Sequence, residues 1–279
     1  MLSYRHAFHA GNFADVLKHS VLTLVLEYMT RKDKGFYYID SHSGAGMYSL
    51  IDAYAQKTGE FKDGIAKIIN QSNIPEALTG YIELIKSFNE NNELNFYPGS
   101  PAIARSFYRR QDSAHLFELH PTDNQLLSEY CQRWNKSHVN QSDGYQGVLG
   151  LLPPPSRRGV VLIDPPYELK EDYPKAIKTI IQAYKKFATG TYILWYPVVK
   201  RELVEKMQLQ FTNSAVKNVL QVEYCQLKDT EEYGMTGTGL FIVNPPWQLN
   251  AQLNDILPFL KEKIGSSNSH YTLTQLIEE

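Results

Sequence analysis

Asp164-Pro165-Pro166-Tyr167 follows Gly159-Val160-Val161-Leu162-Ile163, which sets a carboxylate, two rigid imides and an aromatic ring at the end of an apolar, β-branched run. Such a run reads as a buried parallel strand, and open α/β sheets bind ligands where such strands end. The chemistry suits an adenine amino group. That nitrogen is a poor nucleophile because its lone pair is delocalised into the ring, so an enzyme that alkylates it must hold it in a tetrahedral-like geometry. The Asp164 carboxylate and the Pro165 carbonyl can accept its two N–H bonds while Tyr167 stacks on the base. Prolines remove backbone donors and stiffen φ, which keeps both acceptors in a fixed frame. A proline-rich strand exit whose Asp caps the next helix would carry the same letters, so the tetrapeptide needs support from elsewhere in the chain.

Other strand ends supply it. Asp40-Ser41-His42-Ser43-Gly44-Ala45-Gly46 runs from a strand into a glycine turn, where Gly44 and Gly46 allow positive φ and close approach of backbone N–H groups to a ligand. Ser49 stands where a dinucleotide fingerprint has its third glycine. Phe117-Glu118-Leu119-His120 places a carboxylate where two ribose hydroxyls can donate to it, and Gln141-Ser142-Asp143-Gly144 places an acceptor for an adenine amino group. Asp40, Glu118, Asp143 and Asp164 thus end four successive strands, a pattern that fits a nucleoside-type cofactor; with Asp-Pro-Pro-Tyr, that cofactor is S-adenosylmethionine. A second proline pair, Asn244-Pro245-Pro246-Trp247, ends the last strand, outside this regular succession, and reads as a structural strand exit.

The elements that must position these groups follow from apolar periodicity. Strands are expected at Phe36 to Asp40, His115 to Leu119, His138 to Gln141, Gly159 to Asp164, Thr191 to Tyr196, Val219 to Cys225 and Gly239 to Val243. Helices are expected at Thr122 to Trp134, Tyr173 to Phe187 and Lys200 to Phe211. This is an α/β chain with a doubly wound sheet of seven strands, the pattern of a class I S-adenosylmethionine-dependent methyltransferase, whose last two strands form an antiparallel hairpin at one edge. Residues 50–97 break the alternation with helices around Gly64 to Asn70 and Glu76 to Asn89. They read as an inserted helical subdomain, leaving 1–49 and 98–279 as the Rossmann-like domain. Met1 to Arg31 is a prelude, polar and rich in histidine and then an amphipathic helix from Asp15 onward that packs beside the sheet.

Composition narrows the class. An apolar fraction of 43% in 279 residues supports a sizeable globular core, and a formal charge of −2 argues against a polybasic chain that coats nucleic acid. Val21 to Leu26 is too short to span a bilayer and the start lacks a signal-peptide h-region, so the expected place is the cytoplasm, away from membranes. Cys131 and Cys225 lie far apart without metal-ligand spacing and read as buried free thiols.

A longer likeness runs through the whole chain. The opening Met1-Leu2-Ser3-Tyr4-Arg5-His6-Ala7-Phe8-His9-Ala10-Gly11-Asn12, with Ala14-Asp15-Val16-Leu17-Lys18-His19, closely resembles the start of the RlmJ-type 23S ribosomal RNA adenine-N6 methyltransferases. It continues through Tyr97-Pro98-Gly99-Ser100-Pro101, Glu118-Leu119-His120-Pro121, Arg157-Arg158-Gly159, Asp164-Pro165-Pro166-Tyr167-Glu168, Leu194-Trp195-Tyr196-Pro197 and Asn244-Pro245-Pro246-Trp247. The resemblance implies cofactor contacts at His19, His42, Ser100, Glu118, Asp143, Gly144 and Asp164, with Asp164 catalytic and Tyr4 near the target base. It also implies 23S ribosomal RNA as partner, and the chain is expected to act as a monomer. The His-x-Gly-x-Gly stretch from His42 is intact.

Tyr4, Arg5, His6, Lys18 and His19 then read as a leader that closes over a flipped adenine, with Tyr4, His6 and Lys18 on the substrate side. No cysteine or carboxylate stands at zinc-like spacing to these histidines, so no metal is expected. Arg105, Arg109, Arg110, Arg157, Arg158, Lys185 and Lys186 are candidate phosphate contacts. Direct in-line transfer to N6, with Asp164, Pro165 and Tyr167 as the catalytic set, needs no covalent intermediate. Two rivals stay open at this level: a DNA adenine methyltransferase, because the tetrapeptide does not tell the polymers apart, and a nonenzymatic protein for the use of external DNA.

Overall fold

The computed structural model describes residues 4–91, 93–230 and 234–279, so Met1, Leu2 and Ser3 of the opening motif and residues 231–233 of the last hairpin connection lie outside the described residues. In chain order the strands are β1 (Tyr37–Asp40), β2 (Met47–Ser49), β3 (Phe96–Pro98), β4 (Ser113–Phe117), β5 (Ser137–Asn140), β6 (Gly159–Ile163), β7 (Thr191–Val198), β8 (Val219–Cys225), β9 (Gly237–Val243) and β10 (His270–Ile277). The main helices are α1 (Phe13–Thr30), α2 (Ala53–Thr58), α3 (Ile65–Ile68), α4 (Glu76–Ser87), α5 (Ser100–Phe107), α6 (Pro121–Cys131), α7 (Gly144–Leu151), α8 (Asp172–Lys186), α9 (Arg201–Thr212) and α10 (Leu249–Ile264). None of the helices among the described residues is long and apolar enough to cross a membrane.

Eight strands form one sheet in the order β10-β8-β9-β7-β6-β1-β4-β5. β1 pairs in parallel with β4 and with β6, and the chain winds outward from β1 through β4 to β5, then returns and winds the other way through β6 to β7. The switch of direction between β1 and β6 opens a crevice at their carboxyl ends. Both faces of the central strands are covered, so their side chains alternate between two cores rather than between core and water. Val160 and Leu162 join the cluster under α1, α4 and α10, whereas Val161 and Ile163 join the cluster under α7, α8 and α9.

Three features differ from the sequence reading. The sheet has eight strands, because His270–Ile277 adds antiparallel to β8 and takes the edge. The β8–β9 hairpin is antiparallel as expected, but β9 sits inside the sheet between β7 and β8. Helix α1 is buried on nearly every side rather than amphipathic, since it is wedged between the sheet and helices α4, α5 and α10.

Residues 50–97 are largely helical, and their ends are joined where β2 pairs with β3. Their apolar side chains, Ile65, Leu78, Tyr81 and Ile82 among them, belong to the same buried cluster as α1. The segment therefore lacks a core of its own and covers what would otherwise be the wet face of α1. It meets the leader at very short range. A Cβ on Gly64 would lie 2.2 Å from the Gly11 carbonyl oxygen, and one on Gly11, whose φ is +79°, would lie 2.9 Å from Ile65 Cγ2.

Candidate active site

The crevice opens into a cavity of about 700 Å³, a size that holds a nucleoside-like ligand. Its walls come from the leader, the N-terminal half of α1, the ends of β1, β4, β5 and β6, and the end of β7. Of the sequence-predicted residues, Tyr4, His6, Lys18, His19, His42, Gly44, Ser100, Glu118, Asp143, Gly144, Asp164, Pro165 and Tyr167 all line it. Gly46 does not: its carbonyl accepts the Gly99 N–H at 2.9 Å, and its φ of +84° serves the turn rather than a ligand. Asp40 also drops out of the row of strand-end acids. It is fully buried, accepting from Tyr38 Oη at 2.8 Å and Ser100 Oγ at 2.6 Å, and burial pushes its pKa up to about 6.

The two glycines that remain are needed for space. Gly44, at φ +60°, donates its N–H to Glu118 Oε2 at 2.8 Å, and a Cβ there would meet Tyr48 Oη at 2.1 Å. A Cβ on Gly144 would sit 1.8 Å from the Ser41 carbonyl oxygen, so β1 and the start of α7 close on each other only with glycine there. Glu118 also accepts from the His120 N–H at 2.7 Å; burial raises its pKa despite those two donors. Asp143 caps α7 through the Tyr145 and Gln146 amides and pairs with Lys175 at 3.1 Å. Burial alone would raise its pKa, but the Gln146 amide, Lys175 and the Tyr145 amide hold it below the ordinary value.

Asp164 is anchored by a residue far away in sequence. Lys18 Nζ lies 2.7 Å from Asp164 Oδ2 and 2.9 Å from Asp15 Oδ1, and its side chain is only 4% exposed. Burial would lower the lysine pKa, but the two carboxylates outweigh it and hold it above the ordinary value. Lys18 is therefore a buried strut and is not placed as a phosphate-binding surface lysine. The same Asp15 meets His6 Nε2 at 2.9 Å and accepts the Gly11 N–H, while His6 Nδ1 lies 2.9 Å from Tyr4 Oη. A polar chain thus runs Tyr4, His6, Asp15, Lys18, Asp164. Asp15 had no role in the sequence reading, because only the fold reveals that its helix enters the site. The Tyr4 ring stacks on His9, with centroids 5.6 Å apart. Tyr167 has φ +50°, donates its hydroxyl to the Trp195 carbonyl at 2.7 Å and meets the Trp195 ring edge-on.

His19 is buried with Nδ1 2.7 Å from Tyr97 Oη; burial, with Asp15 only partly opposing it, lowers its pKa to about 3. His42, beside Ser41 and Tyr145, falls to about 4 for the same first reason. Both are neutral at physiological pH. A folded-state pKa below the unfolded value of about 6.5 means that the unfolded chain binds the extra proton first, so stability is lost as pH falls below 6.5. Asp40, raised to about 6, acts in the opposite direction. Replacing His19 by Gln is expected to flatten the decline between pH 6 and 4 by up to about 1.4 kcal/mol per pH unit, read as the difference between the two proteins in denaturant titrations across that range.

Two buried polar atoms in the cavity wall have no hydrogen-bond partner among the described residues, the Tyr145 hydroxyl and His120 Nδ1. Both can bond whatever fills the cavity, water included. Neither was singled out from sequence, although Tyr145 directly follows Asp143-Gly144. Among the described residues no cluster of three or more His, Cys, Asp or Glu is arranged to hold a metal ion. Cys131 and Cys225 are buried free thiols, each pushed up to about 11 by burial.

The candidate phosphate contacts are not at this mouth. Arg109 bonds Asp112 and the Thr30 and Lys32 carbonyls, and Arg158 bonds the Met29 and Lys34 carbonyls, so both fasten the end of α1 at the opposite end of the sheet. Arg105 bonds the Tyr130 carbonyl, and Lys186 the Leu149 carbonyl. Asn244 donates to the Ala188 and Gly190 carbonyls and holds a strand exit remote from the cavity.

With this geometry in place, comparison with known proteins is direct. The family described as Ribosomal RNA large subunit methyltransferase D, RlmJ, matches residues 33–277. The chain is 46% identical to Ribosomal RNA large subunit methyltransferase J of Escherichia coli (strain K12), with 100% of each chain covered. It is also 46% identical to the protein of that name from Haemophilus influenzae, covering 95% of this chain and 94% of that one. A crystal structure of a protein from Legionella pneumophila str. Philadelphia 1 superposes with a TM-score of 0.89 at 40% identity, over 96% of this chain and 98% of the other. A methyltransferase sheet, acids beyond the ends of β4, β5 and β6 around one cavity and full-length similarity agree: the chain belongs to the RlmJ family of ribosomal RNA large subunit methyltransferases.

Proposed function

We propose that this chain transfers a methyl group from S-adenosylmethionine to the exocyclic N6 of an adenine in 23S ribosomal RNA. The observation that carries the reading is Asp164, set at the end of β6 with one carboxylate oxygen fixed by Lys18 and the other left for a ligand. Asp164 Oδ1 and the Pro165 carbonyl accept the two amino hydrogens of the base, and the ring of Tyr167, held through its hydroxyl, provides a stacking surface. Positioning of this kind can supply much of a rate enhancement.

The residues fit S-adenosylmethionine on their own chemistry. Glu118 accepts from ribose hydroxyls, Asp143 and the Gly144 backbone face an adenine, and the unpartnered Tyr145 hydroxyl and His120 Nδ1 offer further polar contacts. When bound, that group supplies an electrophilic methyl on a sulfonium. Residues 1–49 and 98–279 are the catalytic domain in this reading, with 50–97 inserted, acting as a cytoplasmic monomer. Incubation with labelled S-adenosylmethionine and unmodified large-subunit RNA, followed by mapping of the labelled base, tests the reaction. The label is expected on adenine N6 in RNA, with a matched DNA strand inert; label on DNA alone would reverse the choice of polymer.

Two variants separate the cofactor side from the base side. Glu118→Ala is expected to weaken S-adenosylmethionine binding more than saturated turnover, since each charge-assisted bond is worth about 1.5–3 kcal/mol in ground and transition state alike. Unchanged affinity by calorimetry would remove Glu118 from the site. Tyr4→Ala is expected to lower RNA methylation by the equivalent of about 1–3 kcal/mol of stacking while cofactor affinity stays near wild type. The phenylalanine variant should recover much of that loss, and equal activity in the alanine variant would leave the leader without a role in holding the base.

A further inference from the structure

Two groups of residues conspicuous in the sequence take no part in the cavity: the paired arginines and Asn244-Pro245-Pro246-Trp247. The fold brings both to the opposite end of the sheet. β1, β4, β5 and β6 are parallel, so the segments entering them, 31–36, 108–113, 132–137 and 153–158, share that end. They are stitched together by Arg109 and Arg158 on the α1 carbonyls and by Lys136 on the Arg110 carbonyl. β9 runs antiparallel to β7, so 244–248 emerges at the same end, and Arg31 donates to Gln248 at 2.5 Å.

The charge there is one-sided. The four entering segments hold nine Arg or Lys and two Asp, in a chain whose formal charge is −2. Arg109 and Arg158 serve the helix end, but Lys32, Lys34, Arg110, Arg133 and Arg157 are exposed. At the same end, next to the Gln248 that Arg31 holds, Trp247 is 76% exposed, the most exposed large hydrophobic side chain among the described residues. The cavity has the reverse character, with eight Asp or Glu and two Lys among its lining residues. A polyanion whose base enters that cavity gains little from charge at its mouth and needs cations elsewhere. A band of exposed cations with an aromatic ring alongside matches a phosphate backbone with an unpaired base stacked on the ring.

We infer that the end of the sheet opposite the cavity, carrying Lys34, Arg110, Arg157 and Trp247, is a second RNA-binding surface that grips a part of the ribosomal RNA remote from the target base. The inference rests on the RNA reading above. A five-residue strand spans about 17 Å, about five nucleotides at roughly 3.4 Å each, so an oligonucleotide of two or three nucleotides that fills the cavity cannot also reach the opposite end.

The test uses the full chain and two probes, a short oligonucleotide that enters the cavity and intact unmodified 23S ribosomal RNA. The triple variant Lys34→Glu, Arg110→Glu, Arg157→Glu should lose on the order of tenfold affinity for the long RNA and none for the short one. Its slope of log affinity against log salt should be shallower by about 2 to 3, as three phosphate contacts are removed. Long RNA should quench the fluorescence of the wild type more than that of Trp247→Phe, and Trp247→Ala should bind it roughly tenfold less tightly. Unchanged melting and S-adenosylmethionine binding confirm that the variants are folded. Equal affinity of wild type and triple variant for long RNA, with methylation intact, overturns the surface and leaves the catalytic reading standing. Length-dependent binding that needs these residues, in a wild type that methylates no RNA, overturns the catalytic reading and leaves the surface.

Discussion

Asp164→Ala is expected to cut methyl transfer by on the order of 10³-fold, with only a modest fall in S-adenosylmethionine affinity. In the proposed reading the carboxylate accepts one amino hydrogen beside the Pro165 carbonyl, and its charge stabilises a nitrogen that turns positive as its lone pair forms the new bond. Its removal takes away charge and orientation together. Lys18 keeps Asp15 at 2.9 Å, so the ammonium is not stranded and the fold should survive. Single-turnover measurement with saturating RNA and calorimetry of the cofactor separate the two effects. Turnover within tenfold of wild type would move the role away from the tetrapeptide. Asp164→Asn sharpens the result, because it keeps the shape of the side chain and loses the charge on which Lys18 rests.

The largest effect on stability should come from Asp15→Ala. This side chain is 1% exposed and meets His6, Lys18 and the Gly11 amide, with its own N–H capped by Asn12. Burial opposes its ionisation, yet His6 and Lys18 beside it hold its pKa well below the ordinary value. Removing one partner of a buried charge cluster costs about 3–5 kcal/mol, which for a chain of this size shifts the melting temperature by roughly 6–20 °C. Activity should fall as well, because Lys18 would then be held from one side only and Asp164 would lose its fixed frame. Asp15→Asn should recover part of the stability, since its side chain can still accept the Gly11 amide. Melting within about 2 °C of wild type for the alanine variant would show that the cluster adds little to stability.

Strands buried on both faces were the plainest to read, although the half-exposed edge strand Ser137–Asn140 was read to within a residue as well. Gly159–Ile163 and Val219–Cys225 are apolar enough to announce themselves, and their bounds agree with the reading to within a residue. His270–Ile277 escaped because an edge strand alternates Thr and Gln with Leu and Ile and remains partly exposed. Helix α10 contains Pro258, a residue that ordinarily argues against a helix interior. In the site, carboxylates at strand ends could be found from spacing alone, but spacing treats Asp40 and Glu118 alike. The side chains of Tyr38 and Ser100 draw Asp40 into the core, whereas Glu118 keeps a face on the cavity. The bridge from Lys18 to Asp164 joins residues 146 positions apart and became visible only with the fold.

The near-contact of Gly11 with Gly64 bears on how such a protein can be recombined. The leader turn and the start of α3 touch backbone to backbone, and the Ile65 N–H donates to the Gly11 carbonyl at 2.9 Å. Neither partner has room for a methyl group. A graft that exchanges residues 50–97 for the equivalent stretch of another protein would therefore have to bring a glycine to position 64 and meet the same turn in the host. Leader and insertion form one exchangeable cassette, although 52 positions separate the two glycines.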